Sequence, residues 1–212
     1  MTAHRRLVVL DVDSTFIADE QIDLLAAHAG VGDQVAAITE RAMAGELDFA
    51  AALRERVAAL AGLQVSTLAL VGTQVRLSPG AAELVAALHE RGWPVGLVSG
   101  GFHEIVDPLA AEHGITRVQA NRLMVDDGGR LSGLVRPPIV DRAAKEAFLR
   151  DFAAHEGIDM ARTVAIGDGA NDVAMVTAAG LGVGFRPKAA LAQAADVVLT
   201  GRLDELLPLL DC

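Results

Sequence analysis

Short apolar runs recur along the chain, and most of them end in acidic or glycine-rich letters. Residues 7–10 (LVVL) lead into Asp11, residues 95–98 into Ser99-Gly100-Gly101, and residues 163–166 into Gly167-Asp168. Leu181–Phe185 and Val197–Leu199 are further runs of this kind. Runs that are apolar throughout, without alternation, are expected of strands covered on both faces. Helical spacing fills most of the gaps. One helix is expected from Ser78-Pro79, a cap followed by proline at the first helical position, to Gly92. Others are expected from an Asp141 cap to Gly157 and from Asn171 to Gly180. Strands alternating with helices predict an α/β fold, a doubly wound parallel sheet.

Two stretches depart from this rhythm. Residues 16–75 hold no convincing strand but three helical patterns, 19–30, 33–45 and 48–62, each opening at aspartate and closing at glycine. A weaker fourth starts near Ser66. The expected organisation is therefore a core of residues 1–15 and 76–212 with an all-helical insertion at 16–75. The second departure is 117–135, where two alternating runs flank Asp126-Asp127-Gly128-Gly129, a hairpin signal.

Composition narrows the class. With 212 residues and 52% hydrophobic content the chain reads as one globular domain with an insertion. No apolar run approaches the ~18–20 residues that span a bilayer, and the run after MTAHRR is too short for a leader peptide, so a cytoplasmic protein away from membranes is expected. The single cysteine, Cys212, cannot form an internal disulfide and fits a reducing compartment. A net charge of −10 argues against nucleic acid or an anionic membrane surface as partner. A small-molecule ligand is expected instead, with monomer and homodimer both open. If that ligand is anionic, it needs positive charge concentrated at its site.

Chemistry-bearing clusters sit where the strands end, the edge at which open α/β sheets bind ligands. Asp11 and Asp13, at i and i+2, point the same way if the chain stays extended, and two adjacent carboxylates call for a hard divalent cation. A solvated strand end is the alternative. Ser99-Gly100-Gly101 offers backbone N–H groups and a hydroxyl to an anion, although strand-to-helix turns use glycine for other reasons too. Lys145 falls near the start of a helix, where a cation opposes the dipole unless it faces an anionic site. Gly167-Asp168-Gly169-Ala170-Asn171-Asp172 is a tight turn rich in oxygen ligands and the most specific local pattern. Nucleophile, anion donors, cation and metal ligands at one edge match phosphoryl transfer.

DVDST, SGG, the helical lysine and GDGAND, in this order and spacing, resemble the four motifs of the haloacid dehalogenase-like hydrolases, over essentially the whole chain. The helical insertion is similar to that family's cap. TERAMAGELDFAAALRERV within it, together with ANRL further on, resembles the branch that acts on phosphoserine. The resemblance implies a Mg2+-dependent hydrolysis of O-phosphoserine to serine and phosphate, the last step of serine synthesis. Asp11 would be the nucleophile that becomes an aspartyl-phosphate, and Asp13 the acid and then the base. Asp11, the backbone carbonyl of Asp13, and Asp168 would hold Mg2+, with Asp172 behind them or orienting Lys145. Ser99, Gly100 and Lys145 would hold phosphoryl oxygens, and Asn171 would face substrate or phosphate. In the cap, Glu20 and Arg56 would take the amino and carboxylate groups, with Met43 and Phe49 closing an apolar wall. Val12 replaces a common phenylalanine, FRPKA at 185–189 rearranges the usual FRAKP, and Pro108 is expected to interrupt its helix.

One of these assignments has separate support. Phe49, Leu53, Arg56 and Leu60 share one helical face, so Arg56 needs an anionic partner there. A substrate carboxylate or a nearby glutamate would each serve. Glu20 also suits a helix dipole, and Met43 and Phe49 also suit a cap core. The rival readings are another phosphatase or phosphotransferase on the same scaffold, and a phosphate-storing receiver domain, which would lack the helical insertion.

Overall fold

The computed structural model describes residues 5–210. Cys212 and the first residues of the chain, on which expectations about disulfides and a leader peptide rested, lie outside them. Seven strands form one sheet: β1 (Leu7–Asp11), β2 (Val95–Phe102), β3 (Arg117–Val125), β4 (Leu131–Arg136), β5 (Thr163–Gly167), β6 (Leu181–Phe185) and β7 (Val197–Leu199). Their spatial order is β4-β3-β2-β1-β5-β6-β7. Every neighbouring pair is parallel except β3 and β4, which form the expected antiparallel hairpin. This is the α/β architecture that the unalternating apolar runs predict.

The central strand shows why such runs are apolar throughout. Val8 and Leu10 point to one face, beside Leu97, Val164 and Ile166, and meet Leu84, Leu88 and Val106 of α5 (Ala81–Glu90) and α6 (His103–Glu112). Leu7 and Val9 point to the other face, with Val98 and Ala165, and meet Phe148, Leu149, Phe152 and Met175 of α7 (Arg142–Glu156) and α8 (Val173–Ala178). Period-two alternation is present, but both faces are covered, so both sets must be apolar.

Residues between β1 and β2 supply α1 (Gln21–Ala29), α2 (Gly32–Met43), α3 (Phe49–Ala59) and α4 (Ser66–Gly72). They share a cluster that includes Leu25, Leu53, Val57 and Val71, and that also takes in Phe102, Ile105, Leu123 and Leu131 from beyond the segment. Backbone bonds fasten it further. Gly62 N–H donates to Leu131 O and Leu131 N–H to Leu63 O, both at 2.8 Å, and Val65 N–H donates to Gly129 O at 3.0 Å. Where the segment enters and leaves, Ile17 and Leu77 pair antiparallel, Ala18 N–H donates to Arg76 O at 2.8 Å, and Ser78 N–H to Phe16 O at 2.9 Å.

Several helix starts differ from expectation. Asp48 caps α3 by accepting from Ala51 N–H at 2.7 Å, and Asp141 caps α7 by accepting from Ala144 N–H at 2.9 Å. Asp19 caps nothing, because both its oxygens are spent on Arg76. Asp33 lies inside the first turn of α2. The helix expected at Ser78-Pro79 begins only at Ala81, since Gly80 sits at φ 82° and Pro79 O accepts from Leu203 N–H instead. Ser99-Gly100-Gly101 does not leave the sheet but stays in β2, which runs on to Phe102 past an irregularity in its pairing with β3. Pro108 lies within α6 without ending it. No helix among the described residues is long and apolar enough to cross a membrane.

Candidate active site

Strand register decides which residues meet. Asp11 lies opposite Val98 of β2, and Leu10 lies opposite Ile166 of β5. Asp11, Ser99 and the turn at 167–172 therefore lie side by side at one edge of the sheet, although they are far apart in sequence. Beyond Asp11 the chain makes a wide turn, Val12–Phe16, in which Asp13 is extended and Ser14 is left-handed at φ 57°. That conformation costs a non-glycine residue about 1–2 kcal/mol. It is held by Ser14 Oγ donating to Glu20 Oε1 at 2.7 Å and Ser14 N–H donating to Asp19 O at 3.3 Å.

A buried cation lies under the strand ends. Lys145 Nζ is 2.5 Å from Asp11 Oδ1 and 2.6 Å from Asp172 Oδ1, and Lys145 has no exposed surface. Burial alone would lower the Lys145 pKa, but Asp11 and Asp172 outweigh it and hold the ammonium above its ordinary value. Asp11 moves well above the usual carboxylate range, through burial first and then the Asp172 charge, with Lys145 opposing. Asp172 has both oxygens committed: Oδ2 accepts from the N–H groups of Asp168 at 3.2 Å and Gly169 at 3.0 Å. Gly167 makes room for it, since a Cβ there would stand 2.5 Å from Asp172 Cγ.

Asp13 is gripped from the start of α1. Gln21 N–H donates to Oδ2 at 3.1 Å, and Gln21 Nε2 donates to Oδ1 at 2.5 Å. Burial, and then the Glu20 charge, push the Asp13 carboxyl up to about 7, against the hydrogen bonds from Gln21. Glu20 is itself raised, chiefly by burial. Asp168 is raised by burial as well, while Lys188 Nζ, 2.9 Å away, opposes.

These groups face a cleft of about 620 Å3. Of the residues expected from sequence, Asp11, Asp13, Asp168, Asn171 and Gly100 line its floor side, and Glu20, Met43, Phe49 and Arg56 line its helical side. Ser99, Lys145 and Asp172 are buried and do not line it. Ser99 Oγ accepts from Gly101 N–H at 2.8 Å, which leaves its own proton free to donate. The Phe49 ring lies against Gly100, where a Cβ would come within 2.9 Å of it. Met43, by contrast, lines the cleft from its rim and is 81% exposed. Arg56 is half-buried, gives Nε to Ala52 O at 3.3 Å, and makes no ion pair among the described residues. Burial lowers its pKa, and Glu20, Asp23 and Asp13 pull it back up.

Three contributors are not apparent from sequence. Lys188 lines the cleft through its pair with Asp168, and its N–H also donates to Asp168 O at 2.8 Å. Asn121 is buried, donates from Nδ2 to Gly100 O at 2.8 Å and accepts from Val140 N–H at 2.8 Å, tying the end of β2 to the approach to α7. ANRL contains it, but nothing in those letters indicates the bridge. Gln21 is the third.

The donor set suits a hard divalent cation. Asp11, Asp168 and Asp172 each offer an oxygen within 4.8 Å of the others, all buried, with no nitrogen or sulfur ligand in the group. Because Asp172 is fully engaged, Asp11 and Asp168 are the carboxylates left for such an ion. Chemically, the cleft holds a carboxylate fixed by an ammonium, a second carboxyl that titrates near neutrality, and a glycine pair at a strand end that a ligand can approach closely.

Comparison with known proteins places this arrangement among relatives. The sequence model for haloacid dehalogenase-like hydrolases matches residues 8–177. A phosphoserine phosphatase of Streptomyces coelicolor is 53% identical over 191 residues, covering 90% of this chain and 46% of that protein. The chain thus spans about half the length of some curated relatives that it matches. A phosphoserine phosphatase of Streptococcus thermophilus is 53% identical over 188 residues, 89% of this chain and 87% of that one. A solved phosphoserine phosphatase in a phospho-aspartyl intermediate analogue form superposes with a TM-score of 0.90 at 38% identity, covering 97% of this chain and 98% of that one.

Proposed function

The chain belongs to the haloacid dehalogenase-like hydrolase family, and from that premise we propose that it hydrolyses O-phosphoserine to serine and inorganic phosphate in a magnesium-dependent reaction. The reading rests on one observation above all: Asp11, pinned by buried Lys145 beside Asp168, shares a cleft with Asp13 and with an arginine that makes no ion pair among the described residues.

The substrate phosphate enters against Gly100, with the Ser99 hydroxyl, Lys145 and Asn171 supplying further donors. With Asp11 Oδ1 held by Lys145, Oδ2 is the oxygen that attacks phosphorus and forms the aspartyl-phosphate. Asp13, with a carboxyl that titrates at about 7, gives its proton to the departing serine oxygen and then takes one from the water that attacks the phosphoenzyme. Asp11, Asp168 and the Asp13 carbonyl would hold Mg2+, which when bound neutralises charge on the phosphoryl oxygens. Arg56 takes the substrate carboxylate in a bidentate pair, Glu20 takes the ammonium, and Phe49 packs beside the methylene. Residues 16–75 act as a cap over a core made of 1–15 and 76–212. Relatives that carry the name phosphoserine phosphatase at this identity support the substrate, and we place the reaction at the last step of serine synthesis, in the cytoplasm.

The test is a panel of phosphomonoesters with and without Mg2+. Phosphoserine should be cleaved selectively, and both a chelator and Asp11→Asn should abolish turnover. Arg56→Ala should cut kcat/KM for phosphoserine by ~100-fold, the loss of a charge-assisted pair worth roughly 2–3 kcal/mol, while an aryl phosphate loses little. Equal losses on the two substrates would remove phosphoserine from the reading and leave a phosphatase or phosphotransferase for another small phosphomonoester.

A further inference from the structure

Gln21 is a glutamine without exposed surface, placed on the first turn of α1 with its side chain bonded to Asp13. A buried carboxamide must satisfy its donors and its acceptor inside the protein, and this one does so across two separate elements. Nε2 donates to Asp13 Oδ1 at 2.5 Å, while Oε1 accepts the Phe102 N–H at 3.0 Å. The backbone N–H of Gln21 donates to the other Asp13 oxygen, Oδ2, at 3.1 Å. Phe102 is the last residue of β2 and directly follows the glycine pair that faces the cleft. Gly101 is shaped to the carboxamide: a Cβ there would stand 2.5 Å from Gln21 Nε2 and 2.7 Å from Oε1.

We infer that Gln21 is a positioning residue for the acid–base step, a strut that fixes the Asp13 carboxyl against the end of β2 and so sets its aim at the leaving oxygen. This rests on Asp13 acting as proposed above. In the step concerned, a bond forms between an Asp11 oxygen and phosphorus as the bond from phosphorus to the leaving oxygen breaks. The electron pair of the broken bond stays on that oxygen and captures the Asp13 proton. With both carboxyl oxygens held, the proton occupies one of the remaining lone-pair sites, facing the cleft. If the strut is removed, one Asp13 oxygen loses its partner, the carboxyl gains rotational freedom, and proton delivery falls out of line with bond breaking. A basic leaving group feels that loss, whereas a leaving group stable as an anion does not.

The experiment compares kcat/KM for phenyl phosphate, whose leaving oxygen needs the proton, with kcat/KM for para-nitrophenyl phosphate, whose leaving oxygen does not. Both lack the groups that Arg56 and Glu20 would read. General acid–base groups contribute ~100–10,000-fold, and misaiming one should forfeit a part of that, so Gln21→Met is expected to lower the phenyl to para-nitrophenyl ratio by ~10-fold. Gly101→Ala, which displaces the carboxamide while leaving glutamine in place, should lower the ratio in the same direction. Far-ultraviolet circular dichroism and urea midpoints check that each variant folds, and either variant alone suffices for the comparison. Equal losses on both substrates, or an unchanged ratio in a folded variant, would overturn the inference and leave Gln21 a packing residue. Because neither substrate is phosphoserine, a wrong substrate assignment would show as parent enzyme that hydrolyses the aryl phosphates but not phosphoserine, an outcome separate from the ratio.

Discussion

Replacing Lys145 with methionine should destabilise the protein severely, and more at neutral pH than in acid. Methionine keeps most of the length and apolar stem of lysine, so the charge is what disappears. In the parent, Nζ lies 2.5 Å and 2.6 Å from two carboxylates, and the side chains of Lys145, Asp11 and Asp172 are 0%, 4% and 0% exposed. Removing one partner of a buried ionic group leaves the others uncompensated, at a cost of ~3–5 kcal/mol. A domain of this size has ~5–15 kcal/mol to lose, so the variant should fold but lie near its limit. The sign of the pH effect follows from Asp11, whose folded pKa is already raised by burial and Asp172 and rises further without Lys145. A carboxyl with a folded pKa above its unfolded one penalises the folded state only as it ionises. The penalty is absent below the unfolded value and complete above the folded one. Urea unfolding of parent and variant, without metal, at about pH 5 and about pH 8 gives the difference directly. A deficit of several kcal/mol that shrinks on acidification is expected, and adding Asp172→Asn should restore part of it. A variant within ~1 kcal/mol of the parent at the higher pH, or a deficit that grows in acid, would refute the reasoning.

Four other outcomes can be checked. Mg2+ at ~100 times its dissociation constant should stabilise the parent by ~2.7 kcal/mol in thermal unfolding. Asp168→Asn should lose most of that gain, and a full gain in the variant would displace Asp168 from the metal site. Gly80→Ala should cost ~2 kcal/mol or more, because φ is 82° and the new Cβ would meet Asp204 N at 2.7 Å. Gly62→Ala, at φ 88° with nothing within 4 Å, should cost only the conformational ~1 kcal/mol, so matching losses in urea would refute the steric argument.

The sheet was legible because its central strands are covered on both sides, which forces residues such as Leu7 and Val8 to be apolar although they face opposite ways. The floor of the site was legible for a related reason: acidic and glycine-rich letters directly after such strands have no other place to go than one edge. Helix starts were harder. Asp19, Asp33 and Asp48 look alike in sequence, and only Asp48 is left free to cap, because Asp19 is claimed by an arginine 57 residues away. Gln21 and Asn121 were hidden for the same cause. A buried amide takes its meaning from its partners, and those of Gln21 lie at Asp13 and, 81 residues on, at Phe102. Lys188 belongs with them, since the odd order FRPKA gives no hint that a backbone bond to Asp168 O holds it over the site.

The paired linkers at 16–18 and 76–78, and the stitching of 62–65 onto the hairpin, bear on how a ligand gets in. Two single chain crossings would let the helices swing like a door on its pins. A short ribbon of paired backbone, with Asp19 and Arg76 bolted across it and a third anchorage at the hairpin, resists that swing at every corner but one. The free corner is the turn between α2 and α3, where Met43 and its neighbours stand in solvent at the lip of the cleft. A crosslink across that turn should therefore slow ligand exchange more than it slows the chemical step, which rapid-mixing measurements of binding and turnover would separate.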